Sequence, residues 1–138
     1  MEVEYYSDIA KKYEGKAGIY FIHFDASLSK CLYIGKSFDI CQRLLSHEKK
    51  YSRDCVKISI RVLDNVIYGL SHKEASLIVS LWETFYISVF NPVDNKPRPS
   101  LFDMLFCNQC SGNFKALREQ QREITNLLSP SYRDLFSK

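Results

Sequence analysis

The chain has 138 residues, 46% of them hydrophobic, and a formal net charge of +3. That length predicts one domain with a real core, and nine Tyr with nine Phe exclude a disordered chain. The charge is too mild to single out a nucleic-acid partner by itself. No N-terminal run is apolar and charge-free enough for export, and the apolar stretch 75–90 is broken by Ser, Thr and Glu, which predicts a buried helix and no membrane span. Five cysteines, an odd number, predict free thiols in a reducing compartment: the cytoplasm, or the nucleus in a eukaryote.

Taken in order, residues 7–12 are expected to form a short helix leading into the first strand. Residues 18–24 (GIYFIHF) and 31–35 (CLYIG) are rich in β-branched and aromatic side chains, with a polar stretch 25–30 between them. They predict a hairpin. Alternation puts Gly18 and Tyr20 on one face of the first strand, and Cys31, Tyr33 and Gly35 on one face of the second. A helix is expected to start at Ser37 as N-cap, with Asp39 in its first turn. Ile40, Leu44 and Leu45 form its apolar side, and Arg43 and His47 project from one surface at i and i+4.

Residues 56–62 (VKISIRV) alternate strictly, as a third strand with one buried and one wet face would. Ser71 and Glu74 read as a capping box opening a long helix that Asn91-Pro92 ends. Leu77, Ile78, Leu81, Trp82, Phe85 and Val89 form its core stripe. Pro92, Pro97 and Pro99 place Asn95 on an extended loop. A last helix, roughly 113–128, offers Leu117, Ile124, Leu127 and Leu128 as an apolar face.

Within 75–90, Glu83 is the only charged residue. A buried, uncompensated carboxylate costs several kcal/mol, so this position calls for an arginine, Arg43 or Arg61, or for a metal ion. Lys49, Lys50 and Arg53, with Tyr51 among them, and Lys96 with Arg98, are local basic clusters. They could track phosphates, although a solvated surface is the simpler reading of any one of them. Cys107 and Cys110 are the one pair at zinc or redox spacing; a zinc site would need Cys31, Cys41 or Cys55 as well, and buried thiols are the simpler reading.

Gly18-Ile19-Tyr20 followed by Tyr33-Ile34-Gly35 resembles the two-part signature of the GIY-YIG nuclease superfamily. Arg43, His47, Glu83 and Asn95 continue the match in the family's order, from 18 to 95. The resemblance implies an α/β (α+β) fold, a small antiparallel sheet of about three strands flanked by helices. It divides the chain into a catalytic domain, 1–99, and a helical extension, 100–138, packed on the core or on a partner. It further implies a divalent-metal-dependent endonuclease that hydrolyses DNA phosphodiester bonds, one strand per active site, leaving 5′-phosphate and 3′-hydroxyl ends.

By the same resemblance, Glu83 is the ligand of one largely hydrated Mg²⁺ (or Mn²⁺), and Arg43 clamps the phosphate. Tyr20 is the base that activates water and Tyr33 positions it. His47 relays a proton or binds phosphate, Asn95 is an orienting hydrogen-bonding group, and Lys36 stabilises the Tyr20 phenolate, which a reference pKa of ~10 otherwise disfavours. Lys49, Lys50, Arg53, Lys96 and Arg98 are the expected DNA contacts. Double-strand cleavage would require a homodimer, successive nicks or a specificity partner. The alternative from another class is a non-catalytic nucleic-acid-binding module that retains the fold.

Overall fold

The computed structural model describes residues 6–23, 31–51, 57–96, 100–105 and 114–128. It is a mixed α/β structure built on one antiparallel sheet, in which β1 (Gly18–His23) lies between β2 (Cys31–Ser37) and β3 (Lys57–Val62). Around the sheet run α1 (Tyr6–Lys12), α2 (Ile40–Ser46), α3 (Glu48–Tyr51), α4 (Asp64–Ile67), α5 (His72–Phe90), α6 (Leu101–Leu105) and α7 (Lys115–Leu127). The expected fold class and all three strands are present.

Every residue of β1 is buried, because a central strand covered by helices on both faces has no wet side. Its alternation divides the molecule into two cores. Ile19 and Phe21 face one apolar cluster with Ile34, Ile78, Leu81, Trp82 and Phe85, while Tyr20 and Ile22 face another with Ala10, Ile40, Leu44 and Tyr51. The first cluster belongs to α5 and the C-terminal helices, the second to α1, α2 and α3.

Cys31 departs from simple alternation. The β1–β2 register pairs Ile22 with Tyr33 but His23 with Cys31, so Leu32 is an extra residue. Such a bulge turns the strand over. Cys31 therefore joins the α5-side core while Tyr33 stays on the Tyr20 side.

Helix α2 starts later than its sequence suggests. Asp39 is the N-cap and accepts from the Gln42 amide, while Ser37 ends β2 and binds the Asp39 backbone. Asp39 also accepts from the Gly15 amide at 3.2 Å, so the carboxylate fastens the α1–β1 turn as well as the helix. Leu45 is exposed rather than apolar packing.

At the head of α5, Ser71 accepts from Glu74 N as a cap should. The reciprocal half of the box is absent, because the buried Glu74 carboxylate accepts from Leu117 N of α7 at 3.1 Å. Phe114, the N-cap residue of α7, supplies no side-chain cap. One carboxylate thus caps a second helix N-terminus, where an anion also meets the favourable end of the dipole.

Asn91, in the left-handed conformation at φ 47°, closes α5. Val89 is 53% exposed and lies outside the core stripe. The helices beyond residue 99 pack on the core: Leu101, Leu105, Leu117, Ile124 and Leu128 are buried in the α5-side cluster. Leu127 points outward at 59% exposure. Gln120 accepts from the Trp82 indole at 2.9 Å, and Gln121 donates to Met104 O.

Neither face of β3 is fully buried or fully wet: residues 58–61 are half-buried, while Lys57 and Val62 at its ends are exposed. Arg61 stacks on Trp82, 3.8 Å from the ring centroid, and donates to the Tyr86 hydroxyl at 2.6 Å. Among the described residues, no helix is long and apolar enough to cross a membrane.

Candidate functional site

A cluster of aromatic and basic side chains forms where β1, β2 and the end of α2 meet. Tyr20, at the centre of β1, has no exposed surface. Its hydroxyl lies 3.0 Å from Nε2 of His47, the C-cap residue of α2. Tyr33 stands beside both, its ring 6.0 Å from that of Tyr20 and 4.8 Å from the imidazole. Arg43, one turn before His47, and Tyr33 both lie close enough to the Tyr20 hydroxyl to perturb its ionisation. Residues from three elements, as far apart in sequence as 20 and 47, thereby converge on one phenolic oxygen.

One glycine makes room for the Tyr20 ring, and another lets β1 and β3 approach each other. A Cβ on Gly35 would fall onto the Tyr20 ring, and one on Gly18 would meet the carbonyl oxygen of Arg61 on β3. Gly35 is therefore the floor on which Tyr20 lies, across the strand pair that joins them.

The electrostatics sort these groups. Burial, reinforced by the neighbouring Tyr33, holds the Tyr20 phenol well above the usual tyrosine range, with Arg43 pulling the other way. His47 is shifted down by burial first and then by the cations Arg43 and Lys50. A depressed imidazole is neutral at pH 7 and retains one lone pair able to accept a proton.

Lys36 is not the cation beside Tyr20. It alternates to the other face of β2, pairing across to Ile19, and its ammonium donates to Ser80 of α5 at 2.5 Å. Arg43 occupies the place expected of it.

Glu83 is buried at 2% exposure, as its apolar helix context predicts. It is carried by α5, the helix that packs on the Ile19–Phe21 side of the sheet, whereas Tyr20 and Tyr33 belong to the opposite side. Arg61, one of its two expected ionic partners, is also on the α5 side, stacked on Trp82 and donating to Tyr86. Among the described residues no three His, Cys, Asp or Glu side chains gather as a metal cage. One carboxylate is a sparse donor set that suits Mg²⁺, which retains most of its waters, and does not suit structural zinc. Cys107, Cys110 and Cys55 lie outside the described residues; Cys31 and Cys41 are buried free thiols.

Asn95 is an edge clamp. Its Oδ1 accepts from Ile34 N at 2.9 Å and its Nδ2 donates to Ile34 O at 2.8 Å. The side-chain amide thus mimics a neighbouring strand on the open edge of β2. Asp94 N donates to Leu32 O at 2.8 Å, so backbone groups on both sides of Tyr33 are held.

Two site residues, Tyr51 and Asp94, have no role assigned from the sequence. Tyr51 is buried, with its ring 6.1 Å from His47 and 6.4 Å from Tyr33, and its hydroxyl donates to Asp94 Oδ2 at 2.7 Å. Lys50 lies 3.5 Å from the same oxygen. The separation of 43 positions between Tyr51 and Asp94 explains why no local pattern links them. Of the expected phosphate contacts, Lys49, Lys50 and Lys96 are exposed, and Arg53 and Arg98 lie outside the described residues.

No family model, curated protein or solved structure matches the chain.

Proposed function

We propose that this chain is an endonuclease of the GIY-YIG type, hydrolysing DNA phosphodiester bonds with Mg²⁺ or Mn²⁺ held by Glu83. The observation that carries the reading is the 3.0 Å Tyr20–His47 hydrogen bond with Arg43 and Tyr33 beside the same hydroxyl. A module that only bound phosphate would gain nothing from a buried phenol joined to a neutral imidazole.

The attacking water loses a proton to the Tyr20 oxygen as the Tyr20 proton passes to Nε2 of His47. The new oxygen–phosphorus bond forms while the bond to the 3′ oxygen breaks, and that oxygen takes a proton from solvent. Relay to His47 removes the need for a resting phenolate, which burial opposes. Arg43, exposed beyond its contact with Tyr20, transfers its donors to the phosphate and uncovers the phenol; its planar fork suits non-bridging oxygens better than an ammonium would. Tyr33, half-buried, positions the water. Glu83 is the residue that would hold the metal, whose charge would stabilise the leaving oxygen.

The exposed Lys49, Lys50 and Lys96 contribute the salt-dependent attraction for DNA, with Arg53 and Arg98 as further contacts. One such centre cuts one strand, and breaks across a duplex need a second copy, a second encounter or a specificity partner.

The test is cleavage of supercoiled plasmid in Mg²⁺, in EDTA, and by Glu83→Ala, Arg43→Lys and Tyr20→Phe variants. Cutting by the parent protein, lost in EDTA and in each variant, is the expected result. A parent protein that binds DNA and cuts neither plasmid nor branched or single-stranded substrates overturns it in favour of a binding module.

A further inference from the structure

We infer that Asp94 is a positioning residue for the His47–Tyr33 pair, acting through Tyr51 and the edge of β2; as a statement about catalysis this rests on the proposed nuclease reading.

Asp94 makes two structural connections at once. Its backbone amide donates to Leu32 O at 2.8 Å, and its neighbour Asn95 holds both backbone groups of Ile34. The residue enclosed by these bonds is Tyr33. Its side chain accepts the Tyr51 hydroxyl at 2.7 Å. Tyr33 and Tyr51 both stand beside the imidazole of His47, with ring centroids 4.8 and 6.1 Å from it. One residue from the segment after α5 therefore fixes aromatic rings borne by β2 and α3.

The connection matters because β2 is an edge strand and α3 is four residues long. Neither is rigid by its own hydrogen bonds. A short helix is marginal without tertiary support, and an edge strand has one unpaired side. His47 joins α2 to α3, and its ring meets the Tyr20 hydroxyl at Nε2 and lies between Tyr33 and Tyr51. Its orientation toward Tyr20 then depends on the packing of Tyr33 and Tyr51. The carboxylate also holds Lys50 at 3.5 Å, which keeps that ammonium beside the pair.

Loss of the Asp94 side chain should loosen the Tyr51 ring and misplace the imidazole, lowering turnover while substrate binding changes little. Asn at this position retains an acceptor for the Tyr51 hydroxyl and should restore most of the rate.

The experiment compares Asp94→Ala, Asp94→Asn, Tyr51→Phe and the Asp94→Ala/Tyr51→Phe pair by steady-state cleavage. It also follows the His47 ring resonances by NMR with labelled histidine, which can be read without any activity. The expected result is a kcat lower by about tenfold in Asp94→Ala and in Tyr51→Phe, with KM within about twofold and near-recovery in Asp94→Asn. The double variant should be no worse than either single one, and the His47 resonances should shift in both single variants. If Asp94→Ala fails to fold, Tyr51→Phe carries the same comparison. Unmoved His47 resonances, or additive losses in the double variant, would overturn the inference. A parent protein without nuclease activity refutes the nuclease reading instead, and shifted resonances would still support the positioning of His47 by Asp94.

Discussion

The phenolic oxygen of Tyr20 and Nε2 of His47 are 3.0 Å apart, although one belongs to the middle of the central strand and the other caps the helix that follows β2. Because burial, Arg43 and Lys50 all lower the His47 pKa from 6.5, the imidazole enters the reaction neutral. Cleavage is expected to be sustained at neutral and mildly basic pH and to fall as acid protonates His47, at a pH below 6.5. His47→Gln should lose that acid limb and about 10²-fold or more in kcat. A pH–rate profile of both proteins checks this.

The same depression links His47 to stability. A group whose folded pKa lies below its unfolded value binds fewer protons when folded, so its contribution is present above pH 6.5 and is lost as pH falls through the folded value. Tyr20 behaves oppositely at the alkaline end. Its raised pKa contributes stability below pH 10, lost as pH rises through the folded value. In a spectrophotometric titration of the nine tyrosines, Tyr20 should ionise last, together with unfolding, and the Tyr20→Phe variant should lack that final increment.

Gly35→Ala places a methyl group on the Tyr20 ring. Displacing a ring that is packed on all sides should cost about 1–3 kcal/mol and move the hydroxyl away from His47. Denaturant unfolding combined with a cleavage assay measures both. Wild-type stability in Gly35→Ala would mean that the ring does not rest on this glycine.

Asn95→Ala removes both hydrogen bonds from Ile34 at the β2 edge. The expected loss is about 1–3 kcal/mol, with faster exchange of the Ile34 amide by hydrogen–deuterium NMR. Asn95→Asp should recover little, since a carboxylate can accept from Ile34 N but presents no donor to Ile34 O.

The C-terminal helix supplies a contrasting pair. Ile124 is fully buried in the α5-side core while the nearby Leu127 faces out. Ile124→Ala should destabilise by about 2–5 kcal/mol, and Leu127→Ala by no more than about 0.5 kcal/mol. Urea midpoints of the two variants decide whether residues after 99 belong to the folding unit.

The elements were legible because their signals are local. Alternation with β-branched and aromatic residues marks strands whether or not their partners are known, and the long apolar run before Asn91-Pro92 marks α5 together with its end. Burial of Glu83 was readable for the same reason. Where the reading missed, a distant group had taken over a local role. Asp39 displaced Ser37 as cap, Glu74 turned from its own helix to α7, and Leu32 bulged and moved Cys31 to the opposite face.

The candidate site divides along the same line. Arg43 and His47 share a helix face by their spacing, and alternation puts Tyr20 and Tyr33 on one surface. The resemblance puts Lys36 next to Tyr20, yet strand alternation carries it to the far face and to Ser80. Asp94 and Tyr51 carried no signal at all, being joined only by the return of the chain along β2.

By itself the sequence determined the strands, the long helix and the residue types available for chemistry, since these follow from periodicities of two and 3.6 residues and from side-chain pKa values in water. Only the tertiary structure decided which cation meets the Tyr20 oxygen, which way its pKa and that of His47 move, and which residues hold the edge of β2. Those properties depend on burial and on distances between segments that no local pattern encodes.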